Sequence, residues 1–336
     1  MKYTALGALM LSGSLLAFAI QDAVVKLLSD QYAVLQILTI RIIFVLAFVL
    51  CICVLRYGVS SLRTRHYKIL LLRGLLAFLA FTTYYLALAV TPMASVAAVY
   101  MSAPLFVTAL SALLLKEKVG IHRWLSVIVG FAAVLLIINP TAETFRIESA
   151  LPLLSALFYS MLPIITRHVG QQVNALVMAT YNSISYLVLC VLAVGIISTI
   201  PVETNSPPLL LSITQSWSMP STEDILWMAF TGVFFTAGVL SITQAYRISN
   251  VSAIAPFEYT LLVWTALIGY VVFAEVPTIQ TIIGAIVIVG CGVYILYRES
   301  AAKKVAALSV KQQTTNKHAD QQASKPADQQ PKHGLS

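Results

Sequence analysis

The chain has 336 residues, 59% of them hydrophobic and only 10% charged, with a formal net charge of +8. A soluble domain carries about 25% charged residues, so this composition excludes one, and the apolar runs reach the ~20 residues that cross a hydrocarbon core of about 30 Å. The positive charge does not point to nucleic acid, because the basic residues sit in short loops and in the C-terminal stretch, with no basic stripe interleaved with aromatics.

Ten helices are predicted in chain order, over residues 4–28, 33–54, 68–90, 93–115, 121–139, 149–168, 174–199, 224–247, 252–273 and 278–297. Segments this long are not the strands of a membrane barrel, which need only about 10 residues of alternating pattern. The first helix begins like a signal peptide, with Lys2 and a small-residue site at Ala17-Phe18-Ala19, but its apolar run continues to Leu28, so it is expected to be a mature span. Thr91-Pro92 leaves almost no loop between the third and fourth helices, which requires a tight turn. Cys51, Cys53, Cys190 and Cys291 lie within apolar runs at spacings poor for metal binding, and read as small apolar filler. Residues 200–222, with Pro201, Pro207, Pro208 and Pro220, form the longest outer loop. Residues 299–336 have almost no large apolar side chains and are expected to be a disordered cytoplasmic tail.

Lysine and arginine set the direction. With the N-terminus cytoplasmic, 18 of the 21 basic residues fall inside, Arg73 being counted with the second loop; Arg146 lies outside, and Lys26 and Arg41 lie within spans. The positive-inside rule then makes both termini cytoplasmic. The pattern around Leu86 to Asn139 recurs around Gln244 to Arg298, so that Ala87 meets Ala245 and Glu117 meets Glu275, 158 positions on. Five spans per half is an odd number, so the second copy enters the membrane upside down. The expectation is an all-α polytopic membrane protein of ten transmembrane helices, built as two inverted five-helix repeats over residues 1–140 and 141–298. Many secondary transporters are built this way.

The second copy carries Pro256-Phe257-Glu258-Tyr259, Trp264, Gly269-Tyr270-Val271-Val272-Phe273-Ala274-Glu275, Gly284 and Gly292. The first carries Leu72-Arg73-Gly74, Ala87-Leu88, Pro104, Leu115-Lys116-Glu117, and Gly130 through Pro140. Together they resemble the EamA-type members of the drug/metabolite transporter superfamily over residues 4–298. Gln21-Asp22-Ala23-Val24-Val25-Lys26 with Phe257-Glu258-Tyr259-Thr260 is similar to a subgroup that includes uptake carriers for S-adenosylmethionine and riboflavin. The resemblance implies a central cavity between two halves, lined mainly by the first, third, fourth, sixth, eighth and ninth helices. It also implies a small organic solute as substrate: amino acid-like, nucleoside-like or a vitamin.

Glu258 is the leading candidate for substrate binding or proton coupling. It sits about 9 Å into the ninth helix at ~1.5 Å per residue, where a charge costs about 2.5–3.5 kcal/mol unless it faces the interior or a wet cavity. A structural bond to Arg41 is the competing reading. Asp22 and Lys26 are spaced to meet on one helix face. They form either a local ion pair, with Lys26 snorkelling outward, or, through Asp22, part of an outer gate. Arg41 is assigned a structural role, as partner of Asp22 or Glu258. Tyr100 aligns with Glu258 at the 158 offset and is the leading cavity aromatic, with Tyr259, Trp264, Tyr84 and Gln244 as further candidates. Glu117 and Glu275, at span ends, are read as structural acceptors that hold the turns between paired helices.

No Walker loop, His-Glu-x-x-His or Gly-x-Ser-x-Gly is present, so no catalytic set, cofactor or metal is implied. The expected partners are a small-molecule substrate, the bilayer and a proton, in a monomer or homodimer of the inner membrane. The competing class, a membrane sensor or intramembrane enzyme, would need a signalling domain or paired catalytic residues.

Overall fold

The computed structural model describes residues 2–114, 120–139, 147–169, 172–197, 199, 207–215, 217–249 and 254–298. Glu117, residues 200–206 of the outer loop and the tail 299–336 lie outside these residues. Among the described residues ten helices are long and apolar enough to cross a membrane. They are α1 (Lys2–Leu28), α2 (Val34–Tyr57), α3 (Tyr67–Val90), α4 (Met93–Leu114), α5 (Ile121–Ile138), α6 (Leu151–Val169), α7 (Ala175–Ile197), α8 (Thr222–Ile248), α9 (Pro256–Phe273) and α10 (Ile279–Arg298). The protein is an all-α polytopic membrane protein, and the expected spans agree with these to within a few residues.

The helices are apolar on every side because their outer faces meet lipid rather than water. Phe48, Leu55, Leu113, Ile196 and Val271 are large apolar side chains left exposed. Inside the bundle, small residues let backbones approach. A Cβ added to Gly74 would fall 2.3 Å from that of Ser185, closing α3 against α7, and one added to Gly284 would fall 2.3 Å from Ile137, closing α10 against α5.

Helix ends follow local chemistry. Ser221 caps α8 by accepting from the Asp224 amide at 3.0 Å, which satisfies one orphan donor of the first turn. Two spans are interrupted. α4 pauses at Met101 and Ser102, just ahead of Pro104, and α9 opens on a tighter turn over Ala255–Tyr259 that contains Pro256. α9 ends on Ala274 at φ 54°, a left-handed conformation that costs a non-glycine residue about 1–2 kcal/mol. The amides of Ala274 and Glu275 turn back to Tyr270 and Gly269 there.

Helices of the two halves are heavily interleaved. α1 packs along α8 and α9, α3 along α6 and α7, α2 against α7 and α8, and α4 against α6 and α9. Two expectations are corrected. Arg73 is not a loop residue: it lies within α3, where it donates to Thr166 at 3.0 Å and Asn182 at 3.2 Å. The stretch between α7 and α8, expected to be only a loop, also carries structure that packs on the bundle. The short helix Pro208–Thr214 packs on α2 and α3, and Gln36 donates to the Ser218 carbonyl at 2.6 Å. Nearby, Tyr32 donates to Asp224 at 2.7 Å, and that carboxylate raises the phenol above its ordinary range.

Candidate functional site

Asp22, six residues before the end of α1, is buried. Its two oxygens accept from Tyr84 at 2.9 Å and from Tyr85 at 3.0 Å, both on α3. The Tyr85 hydroxyl in turn accepts from Arg41 at 2.6 Å and from Gln21 at 3.3 Å. With one donor and two lone pairs in use, that hydroxyl is saturated. Arg41 thus meets Asp22 only through Tyr85, and among the described residues no hydrogen bond or ion pair joins it to Glu258. Its guanidinium centre lies 5.1 Å from the Tyr85 ring and 4.7 Å from that of Phe235 on α8.

From this cluster a row of tyrosines runs through the bundle. Tyr84 meets Tyr100 of α4 with ring centroids 5.1 Å apart, and Tyr100 meets Tyr159 of α6 at 5.4 Å. The row goes from buried Tyr84 through half-buried Tyr100 to exposed Tyr159. Tyr159 lies within electrostatic reach of Glu258, which accepts a hydrogen bond from Tyr246 of α8. Aromatic hydroxyl side chains from α3, α4, α6 and α8 thus lie between the two acids, but among the described residues no hydrogen bond or ring contact closes the step from Tyr159 to the Tyr246–Glu258 pair. Tyr159 is not among the candidates read from the sequence. Its use as a site residue could not be inferred from its own neighbours, because its contacts come from α3, α4 and α9.

The i, i+4 ion pair is corrected. Lys26 bonds not to Asp22 but to Glu275, at 2.5 Å, and also donates to the Thr91 carbonyl at 2.8 Å. Glu275 uses its second oxygen on the Met93 amide at 2.8 Å, the first turn of α4. A carboxylate at a helix N-terminus satisfies an orphan donor and the helix dipole together. The Lys26 ammonium is thus held in an ion pair and not snorkelled into solvent. Glu275 does hold a turn, but that of the third and fourth helices, on the other half of the chain. We expect Lys26→Met and Glu275→Gln each to cost about 1–3 kcal/mol, and the double variant less than their sum, in thermal unfolding of detergent-solubilised protein. Strict additivity would show the two side chains to be independent.

The other candidates sit apart from the tyrosine row. Tyr259 is buried against α10, where a Cβ added to Gly292 would collide with its hydroxyl, and that hydroxyl has no hydrogen-bond partner. Trp264 packs between α9 and α1 and donates weakly to Ser12 at 3.4 Å. Gln244 is exposed on α8. A separate cavity of about 40 Å³ opens between α2, α3, α7 and α8 beside Arg41, Asn182 and Phe235. Among the described residues no three His, Cys, Asp or Glu side chains gather in a way that could hold a metal.

Comparison with known proteins places this geometry. The chain is 27% identical over 289 residues to the S-adenosylmethionine uptake transporter of Rickettsia bellii (strain RML369-C), covering 86% of this chain and 92% of that one. It is 29% identical over 287 residues to the riboflavin transporter of Vibrio cholerae serotype O1 (strain ATCC 39315 / El Tor Inaba N16961), covering 84% and 90%. A protein of known crystal structure shares the fold at a TM-score of 0.50 and 18% identity, over 87% of this chain and 95% of its own. The profile of the EamA-like transporter family matches twice, over residues 5–139 and 147–298. With nearly all its spans inside those two matches, this chain belongs to the EamA-like transporter family: it is a multi-pass membrane transporter, not an enzyme.

Proposed function

We propose that the protein is a secondary carrier of the inner membrane that moves a small organic metabolite by alternating access, coupled to protons through Glu258. The observation that carries this reading is the pair of interior acids, Asp22 and Glu258, with Tyr84, Tyr100, Tyr159 and Tyr246 lying between them. Charged groups inside a membrane bundle are costly and mark ion or substrate pathways. With both termini cytoplasmic, Asp22 lies toward the outer end of α1 and Glu258 toward the inner end of α9, so the tyrosine row follows the transport direction.

Two inverted five-helix halves, residues 1–140 and 141–298, would rock about this row. The packing supports that symmetry. Exchanging each helix with the one five places along turns α1–α8 into α6–α3, α1–α9 into α6–α4 and α3–α7 into α8–α2, and every one of these pairs is in contact. The Lys26–Glu275 pair ties α1 of one half to the α9–α10 turn of the other and is a natural outer gate.

S-adenosylmethionine and riboflavin, the solutes for which the two relatives are named, are the first substrates to test. Purified protein in proteoliposomes, with sidedness read by labelling a cysteine placed at Trp217, should take up at least one member of a panel of S-adenosylmethionine, riboflavin and the amino acids. Uptake should rise under a proton gradient. Liposomes that take up none of these with or without a gradient would remove the carrier reading in favour of a non-transporting membrane sensor.

A further inference from the structure

We propose that the cavity beside Arg41 is a binding site for the carboxylate of the carried solute, with Arg41 and Asn182 as its anion-binding groups. This rests on the carrier reading and narrows its substrate class.

The cavity lies between α2, α3, α7 and α8, with Phe81, Tyr186 and Phe235 as apolar walls and Arg41, Asn182 and Ser183 as its polar groups. Its volume of about 40 Å³ has room for one charged end group such as a carboxylate, not for a whole solute, and lies below the about 300–1,000 Å³ of complete small-molecule sites. Arg41 is 7% exposed and sits within a membrane span, so an unneeded charge there would be costly. Among the described residues only one of its N–H groups makes a hydrogen bond, to Tyr85. Asp22 does not consume the others, because its two oxygens are taken by Tyr84 and Tyr85. Among the described residues no Arg41 nitrogen is both sealed from space and without a partner, so the remaining donors open onto the cavity that Arg41 lines. The guanidinium packs against the rings of Tyr85 and Phe235, which hold the fork in place. Planar, bidentate recognition of a carboxylate is what such a fork suits.

Asn182 adds the second arm. Its Oδ1 accepts from Arg73 at 3.2 Å, and Arg73 is anchored on Thr166 at 3.0 Å. With the amide oxygen held by Arg73, the NH₂ group is the end left for the cavity. Arg73 is therefore a positioning residue. The negative charge of Asp22, one tyrosine away, favours a solute that carries a positive group beside its carboxylate, as an amino acid-like zwitterion does.

The test compares solutes with and without the acid: S-adenosylmethionine against its decarboxylated form, and each amino acid against its amide, with riboflavin as a solute lacking a carboxylate. Competition for uptake into proteoliposomes reads affinity. We expect the transported solutes to be carboxylates, and loss of the acid to weaken competition about tenfold or more, the order for a charge-assisted hydrogen bond. Arg41→Lys keeps the charge that faces Asp22 but loses the fork, and should shrink that gap to about threefold or less; Arg41→Gln should abolish it.

Equal competition by acid and amide in the wild type would overturn the site and leave the carrier intact. So would uptake confined to riboflavin, or an undiminished gap in Arg41→Lys. The wild-type comparison needs no variant to fold. An Arg41-dependent thermal stabilisation by phosphatidylglycerol without solute, where carboxylate solutes produce none, would assign the cavity to a lipid headgroup and overturn the proposal. Absence of uptake for the whole panel removes the carrier reading itself, and this one with it.

Discussion

Asp22→Ala should destabilise the protein by about 3–5 kcal/mol, the size seen when one member of a buried charged network is removed and the other is left uncompensated. The variant deprives two tyrosine hydroxyls of their acceptor and leaves Arg41 without its nearest negative charge. Asp22→Asn retains an acceptor and should cost less, about 1–3 kcal/mol. Tyr84→Phe removes a single hydrogen bond and should cost about 1 kcal/mol. Thermal unfolding in detergent, with intact-bundle controls by size exclusion, ranks the three. An Asp22→Ala protein as stable as wild type would mean that the network contributes nothing to folding, and would move Asp22 to a purely functional role.

Glu258→Gln should leave the fold intact and abolish accumulation driven by a pH gradient. Its amide oxygen can accept from Tyr246 as the carboxylate does, so packing is retained while titration is lost. The titratable groups that face Glu258 are Tyr246 of α8, Tyr159 of α6 and its chain neighbour Tyr259. A gradient of one pH unit stores about 1.4 kcal/mol per proton, enough for roughly tenfold accumulation of one solute per proton. The variant should lose that factor while exchanging solute across the membrane at equilibrium. Glu258→Ala should lose both if the side chain also touches substrate. Wild-type accumulation by Glu258→Gln under an imposed gradient would return Glu258 to a structural role and make Asp22 the next candidate for coupling.

Much of the architecture could be read from the chain itself, because a bilayer admits so few solutions. A backbone in lipid must satisfy its own polar groups, so an apolar run of ~20 residues is a helix and little else. That is why ten spans, and the tight turn at Thr91-Pro92, were legible without any tertiary information. The placement of Glu275 at a turn was legible for the same reason: a carboxylate at a span end has orphan amides to meet. Arg73 misled because a basic residue near a span end reads as loop charge, whereas its guanidinium turns inward to Thr166 and Asn182.

The partners were a different matter. The i, i+4 spacing of Asp22 and Lys26 made a local ion pair the obvious inference, and on an exposed helix it would be favoured. Inside the bundle each found a better partner elsewhere: Asp22 in two hydroxyls 62 and 63 residues away, Lys26 in a carboxylate 249 residues away. Tyr259 was grouped with the cavity aromatics, yet in the tight turn over Ala255–Tyr259 each position rotates about 120°, and its hydroxyl packs against Gly292. The chain by itself determined which segments lie in the membrane and which charged groups must be buried there, because lipid penalises every unpaired polar group. Which of those groups face one another, and hence where the row of tyrosines and the Arg41 cavity lie, was decided only when ten helices packed and contacts far apart in sequence replaced the local ones.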